Sequence, residues 1–225
     1  MFDLIHKKFY DVLVQPILKR YLKNVSIYSY KELKLKIYPG VFHPKFFFST
    51  QVFADFIQKL DLAGKKVCEV GAGSGLLSFI AFSKGALVYS FDINPIAIDG
   101  IKENLNNNFK STENFNIYLS DLFDTIPENK FDIILINPPY FFSDPSDAGS
   151  YAWYCGKNGE YFEKLFKQLG DYIKPTSQIF IILADNCDLE RISTIAKKNN
   201  YLLTQCYTKK VKWEKNFIFN IVRTS

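Results

Sequence analysis

The chain has 225 residues, 48% of them apolar, which suits one medium domain with a full core and a short appendage. Net charge is +5, and residues 1–40 hold that whole excess, with eight bases against three acids. Composition excludes a disulfide framework and argues against a metal site: Cys68, Cys155, Cys187 and Cys206 form no CxxC pair, and only His6 and His43 add imidazole.

Residues 2–22 read as an amphipathic helix, because Phe2, Ile5, Phe9, Val12, Leu13, Ile17 and Tyr21 recur at spacings of three and four. Pro16 kinks or splits it. The basic residues here read as a solvated face, with contact to RNA or a ribosomal surface as the sharper option. Asp3, Lys7, Lys8 and Asp11 interrupt any apolar signal core. With scattered cysteines and no apolar run of membrane-spanning length, a reducing cytoplasm is expected. Lys31 to Tyr38 alternates charge with apolar residues, as a half-buried strand does, and Pro39-Gly40 makes a turn. Ser49 or Thr50 then caps a helix running to about Leu60. Phe46, Phe47 and Phe48 precede that helix. They read as a packing seam between arm and main domain, or as a lid over a flat ligand.

From Lys65 onward strands and helices alternate. Strands read at 66–70, 86–92, 115–120, 131–136 and 178–184, with helices at about 75–83, 95–107, 160–173 and 188–199. Asn94-Pro95 is a strong helix start. Such alternation predicts a parallel sheet covered on both faces. The end differs: strands at 202–211 and 217–222, joined through residues 212–216, make an antiparallel hairpin.

Chemistry concentrates where strands end. Glu69 closes the first strand of the alternating region, beside the glycine loop Gly71-Ala72-Gly73-Ser74-Gly75. Glycines there permit positive φ and close approach of a ligand, at the edge where open α/β sheets bind. Asp92 closes the second strand, placed for a ribose diol, followed by Ile93. After the third strand, Asp121 suits an adenine amino group, and Leu122 or Ile93 can cover the ring. These features admit a dinucleotide or an adenosyl ligand. After the fourth strand, Asn137-Pro138-Pro139-Tyr140 is a proline-stiffened corner that holds the Asn137 side chain and the Pro138 carbonyl at the ligand edge.

Together, Glu69, the glycine loop, Asp92, Asp121 and Asn137-Pro138-Pro139-Tyr140 resemble the S-adenosylmethionine-dependent methyltransferases of the amino-methylating branch. Gly156-Lys157-Asn158-Gly159 is similar to the Gly-x-x-Gly segment that opens the next helix in the glutamine-methylating group. The likeness covers about residues 44–222. It implies an α/β, Rossmann-like, doubly wound, mostly parallel seven-stranded sheet over residues 44–225, with a short helix/strand arm over 1–43. It further implies S-adenosylmethionine as cofactor, held by Thr50, Glu69, Gly71, Ala72, Gly73, Gly75, Asp92, Ile93, Asp121, Leu122 and Asn137.

Asn137, Pro138, Pro139 and Tyr140 are then the catalytic set. The Asn137 oxygen and the Pro138 carbonyl accept the two hydrogens of a planar amino group, while Tyr140 stacks on the acceptor. The expected partner is a protein or RNA methyl acceptor of the translation machinery, with no membrane role. A glutamine amide and a nucleic-acid base (adenine N6 or guanine N2) both fit. Two readings outside the family remain. A nicotinamide dehydrogenase lacks its Gly-x-Gly-x-x-Gly spacing here. A non-catalytic nucleic-acid-binding module rests on the basic arm and on Lys209, Lys210, Lys212, Trp213 and Lys215.

Overall fold

A computed structural model describes residues 23–46, 48–146 and 149–224. The helix expected over 2–22 lies outside them. Two sheets form. The small one is an antiparallel hairpin of β1 (Ser26–Tyr30) and β2 (Leu33–Ile37). The sequence shows only the second of these strands, and starts it at Lys31. In fact Lys31 sits in the turn with φ 51°, and nothing in Lys31-Glu32 announces a two-residue turn, which usually carries Asn, Asp or Gly.

The large sheet has seven strands in the order β5-β4-β3-β6-β7-β9-β8. They are β3 (Lys66–Val70), β4 (Leu87–Asp92), β5 (Phe115–Leu119), β6 (Phe131–Ile136), β7 (Ile173–Ala184), β8 (Tyr201–Val211) and β9 (Glu214–Arg223). The first five in spatial order pair in parallel, and β9 runs antiparallel to both its neighbours. Five helices accompany them among the described residues: α1 (Phe48–Ile57), α2 (Leu76–Ser83), α3 (Pro95–Asn108), α4 (Glu160–Leu169) and α5 (Leu189–Lys198). The closing hairpin turns on Lys212-Trp213 alone, tighter than the five-residue connection expected, because β9 begins already at Glu214.

Side chains partition by the two-residue period of a strand. On β6, Ile133 and Leu135 join one apolar cluster with residues of α1, α2 and α3. Ile134 and Ile136 join the other with residues of α4 and α5. The sheet is therefore buried on both faces, which explains its near-continuous apolar strands. The β1–β2 hairpin shares the first cluster through Leu35 and Ile37, both at most 2% exposed. Its backbone is fastened to α3 by Asn104 Oδ1, which accepts from Lys36 N at 2.8 Å, and by Asn104 Nδ2, which donates to Lys36 O at 2.9 Å.

Register positions the site. Val70, last in β3, lies opposite both Phe91 of β4 and Ile136 of β6. The loops at Gly71 and Asn137 thus leave the sheet side by side. Strand order also reverses here, the crevice in which such sheets hold ligands.

Candidate active site

One cavity of about 440 Å³ opens at this rim, within the usual range for small-molecule sites. Gly71, Ala72 and Gly73 line one wall, with Glu69 behind them. Asp92, Ile93, Asp121 and Leu122 line the next, and Thr50, Asn137, Pro138 and Pro139 a third. Gly75 and Tyr140 are not on the lining.

The glycine loop is held from outside itself. Asp92 Oδ2 accepts from Gly73 N at 2.7 Å, and its Oδ1 accepts from Asn94 N at 2.8 Å. Burial pushes the Asp92 carboxyl above its ordinary range, against these backbone donors. Asn94 caps α3 as expected, its side chain accepting from Ile96 N, and its Nδ2 donates to Gly40 O at 3.0 Å. Gly71 has φ +66°, and a Cβ there would project into open space, so the loop leaves a cradle for a ligand. Gly75 has a packing task instead. Its φ is +75°, and a Cβ would come within 3.0 Å of Ile101 and Phe79.

Glu69 is 5% exposed. Its Oε2 accepts from Ser78 N at 2.7 Å and from the Ser78 hydroxyl. Gly75 offers α2 no side-chain cap, so the strand-end carboxylate serves one of the orphan N–H groups of the helix start. Burial raises the Glu69 carboxyl to about 8, with nearby Asp92 adding to the rise.

At the third wall, Asn137 Nδ2 donates to Thr50 Oγ1 at 3.0 Å. Asn137 Oδ1 takes no hydrogen bond among the described residues. Thr50 therefore does not cap its helix. That helix begins earlier, at Phe48, which puts Ser49 and Thr50 inside its first turn. Tyr140 departs from expectation. It is 7% exposed, belongs to the apolar cluster behind the wall, and packs against Phe141 with ring centroids 4.9 Å apart. In this position its ring lies off the cavity lining.

Phe46 and Phe48 are not on the cavity lining either. Phe46 packs on His43, and Phe48 on Trp213, while Phe47 lies outside the described residues. Phe42 lines the cavity instead and meets Trp153 with ring centroids 4.9 Å apart. Trp153 belongs to a strap fixed by Phe141 N donating to Trp153 O and Cys155 N donating to Phe141 O, both at 3.0 Å. Tyr151 and Tyr154 of that strap line the cavity and are 45% and 37% exposed. Nothing in the sequence singles out Lys164. It also lines the cavity, ion-paired with Asp121 and Asp124 at 2.6 Å each.

Among the described residues the lining carries the acids Asp92, Asp121, Asp144 and Glu160 against one base, Lys164, which is already paired. Such a wall repels a pyrophosphate and suits a ligand with positive charge. An adenosyl sulfonium compound meets that requirement, and a nicotinamide dinucleotide does not.

The family description "Methyltransferase small domain" matches residues 32–205. "Putative protein N5-glutamine methyltransferase MJ0928" of Methanocaldococcus jannaschii is 35% identical over 158 residues, covering 67% of this chain and 75% of that protein. "Methyltransferase HEMK2" of Homo sapiens is 32% identical over 147 residues, covering 61% and 68%. Among solved structures, the Thermus thermophilus 16S rRNA N2 G1207 methyltransferase with AdoMet and guanosine superposes with a TM-score of 0.60 at 17% identity, over 88% of this chain and 50% of that one. That last likeness is one of fold. By the family match and by its relatives, the chain belongs to the methyltransferase small domain family and is a methyltransferase.

Proposed function

We propose that the protein methylates the side-chain amide of a glutamine in a protein of the translation machinery, in the cytoplasm, with S-adenosylmethionine as donor. The observation that carries this is the posture of Asn137 at the cavity wall: its Nδ2 donates to Thr50, and its Oδ1, without a partner among the described residues, is open to accept. S-adenosylmethionine supplies a methyl group activated by a positively charged sulfur. Gly71 and Gly73 leave room for it, Asp92 and Asp121 address its adenosine, and Ile93 and Leu122 cover the ring.

An amide nitrogen is a poor nucleophile, because its lone pair is delocalised into the carbonyl. Asn137 Oδ1 and the Pro138 carbonyl accept its two hydrogens and draw it toward tetrahedral geometry. The lone pair then forms the new N–C bond as the methyl group's bond to sulfur breaks and its electron pair stays on sulfur, and the surplus proton leaves to bulk solvent once the methylated amide departs the cavity. Positioning supplies most of the gain in rate. Phe42, braced by Trp153, lines the cavity and keeps water from the charge that is lost in the transfer. The relative from Methanocaldococcus jannaschii supports a protein acceptor by its name.

A second reading, an adenine N6 or guanine N2 of RNA, is favoured by the exposed rings of Tyr151 and Tyr154 at the cavity, which suit stacking on a base. A methyl-transfer assay with labelled donor against fractionated release factors, ribosomal proteins and ribosomal RNA separates the two. Label in glutamine of a protein fraction supports the first reading, and label confined to RNA replaces it with the second.

A further inference from the structure

Trp213, in the turn between β8 and β9, is 74% exposed, more than any other large apolar side chain among the described residues. An indole held in water offers a partner an apolar anchor. Lys210, Lys212 and Lys215 surround it, all exposed. Lys210 and Lys215 stand directly opposite each other in the β8–β9 register. Like charges so placed weaken a hairpin. None of the three forms an ion pair among the described residues, whereas neighbouring Lys209 pairs with Asp55 at 2.8 Å. Lysines on an edge strand guard against strand addition. That accounts for Lys210 on edge strand β8. It does not account for Lys215 on the inner strand β9, nor for the indole.

The turn packs on the start of the helix that carries Thr50, a residue of the cavity wall. Trp213 meets the edge of Phe48 at a centroid distance of 6.2 Å. Lys212 Nζ lies 5.2 Å from the Phe48 centroid and 5.5 Å from that of Trp213. Phe48 opens α1, and Thr50, two positions on, is the residue that holds Asn137.

We infer that this turn is the docking site for an acidic stretch of the acceptor protein, which it grips beside the target glutamine. The inference rests on the glutamine reading above. Lysines left unpaired and set against one another need anions, and the indole gives the same stretch an apolar anchor. The cavity itself is acidic: Asp92, Asp121, Asp144 and Glu160 line it. An RNA strand carries a phosphate at every nucleotide, including those next to the reacting base, and such a cavity repels it. A peptide is neutral around its glutamine and acidic only where its sequence makes it so.

The test titrates three probes into the full chain by calorimetry, at low and at high salt. They are a glutamine peptide with a run of aspartates, the same peptide with serines in their place, and a single-stranded RNA of equal negative charge. The aspartate peptide should bind roughly tenfold tighter than the serine peptide, and high salt should remove the difference. Lys210→Glu places an opposite charge across from Lys215, so the hairpin should melt no lower than before while the preference for aspartate disappears. Trp213→Ala should weaken both peptides. Equal binding of the two peptides, tighter binding of the RNA, or an unchanged preference in Lys210→Glu overturns the inference. Binding is read without turnover, so a failure to methylate either peptide counts against the glutamine reading alone.

Discussion

Asn137 reaches back across 87 positions to Thr50, its Nδ2 donating to the threonine hydroxyl oxygen at 3.0 Å. The bond joins the corner after β6 to the first turn of α1, and in this arrangement Oδ1 is the end of the Asn137 amide left without a partner among the described residues. A planar amide that turned over would present N–H groups to the acceptor nitrogen, where only an oxygen is useful.

Thr50→Val keeps the shape and removes that acceptor. One hydrogen bond of this kind is worth about 1 kcal/mol, so kcat should fall roughly five- to tenfold with donor affinity unchanged, and Thr50→Ser should restore most of it. Steady-state kinetics of the three proteins check this. Equal kcat in all three would mean that the amide is oriented by something else.

Asp92 is tied to the loop rather than to the transfer. Asp92→Ala strips acceptors from Gly73 N and Asn94 N and removes a carboxylate from the donor side of the cavity. Donor dissociation, followed by calorimetry, should weaken on the order of tenfold or more, with a much smaller change in kcat at saturating donor. A variant with intact donor affinity and collapsed turnover would invert the assignment.

Gly71 and Gly75 both have positive φ yet should respond differently to alanine. Strain from φ is common to both, about 1 kcal/mol. At Gly75 the new Cβ also meets Ile101 and Phe79 at 3.0 Å, so Gly75→Ala should lose about 2–3 kcal/mol of stability in urea melts. Gly71→Ala meets nothing, and its main effect should be on donor affinity, because the methyl group occupies the cradle.

Glu69 gives stability a pH dependence of definite sign. Its carboxyl titrates near 4.5 when unfolded and is raised to about 8 in the fold by burial. Between those values the folded chain holds a proton that the unfolded chain has lost, so stability falls as pH rises from about 4.5 to about 8 and is level beyond. Glu69→Gln removes the titration and keeps an oxygen for Ser78. Thermal melts across this range should slope less for the variant than for the parent, by an amount on the order of a few kcal/mol in unfolding free energy. Parallel slopes would show that Glu69 is ionised throughout.

Much of the site is legible in the sequence because it stands at strand ends. Glu69, Asp92, Asp121 and Asn137 each follow or close a strand whose apolar run is unmistakable, and parallel pairing brings such ends to one rim. What the sequence conceals depends on tertiary packing. Tyr140 looks like a stacking residue beside Asn137, yet the turn of the corner buries it among Phe141 and its neighbours. Phe46, Phe47 and Phe48 draw the eye as a lid, but whether a ring covers a cavity depends on where the chain crosses it, and Phe42 makes that crossing. Lys164 sits in an ordinary amphipathic helix, and only the fold sets it against Asp121. The strand at Ser26–Tyr30 lacks any turn signal after it, and its partner alone shows a clear alternation.

The central claim is that Asn137 acts on the acceptor nitrogen and not on the donor. Asn137→Ala, assayed for donor binding by calorimetry and for methyl transfer at saturating donor, tests it most directly. We predict a fall in kcat of about a hundredfold or more with the donor dissociation constant within about twofold of the parent. Lost donor binding with unchanged turnover would contradict it.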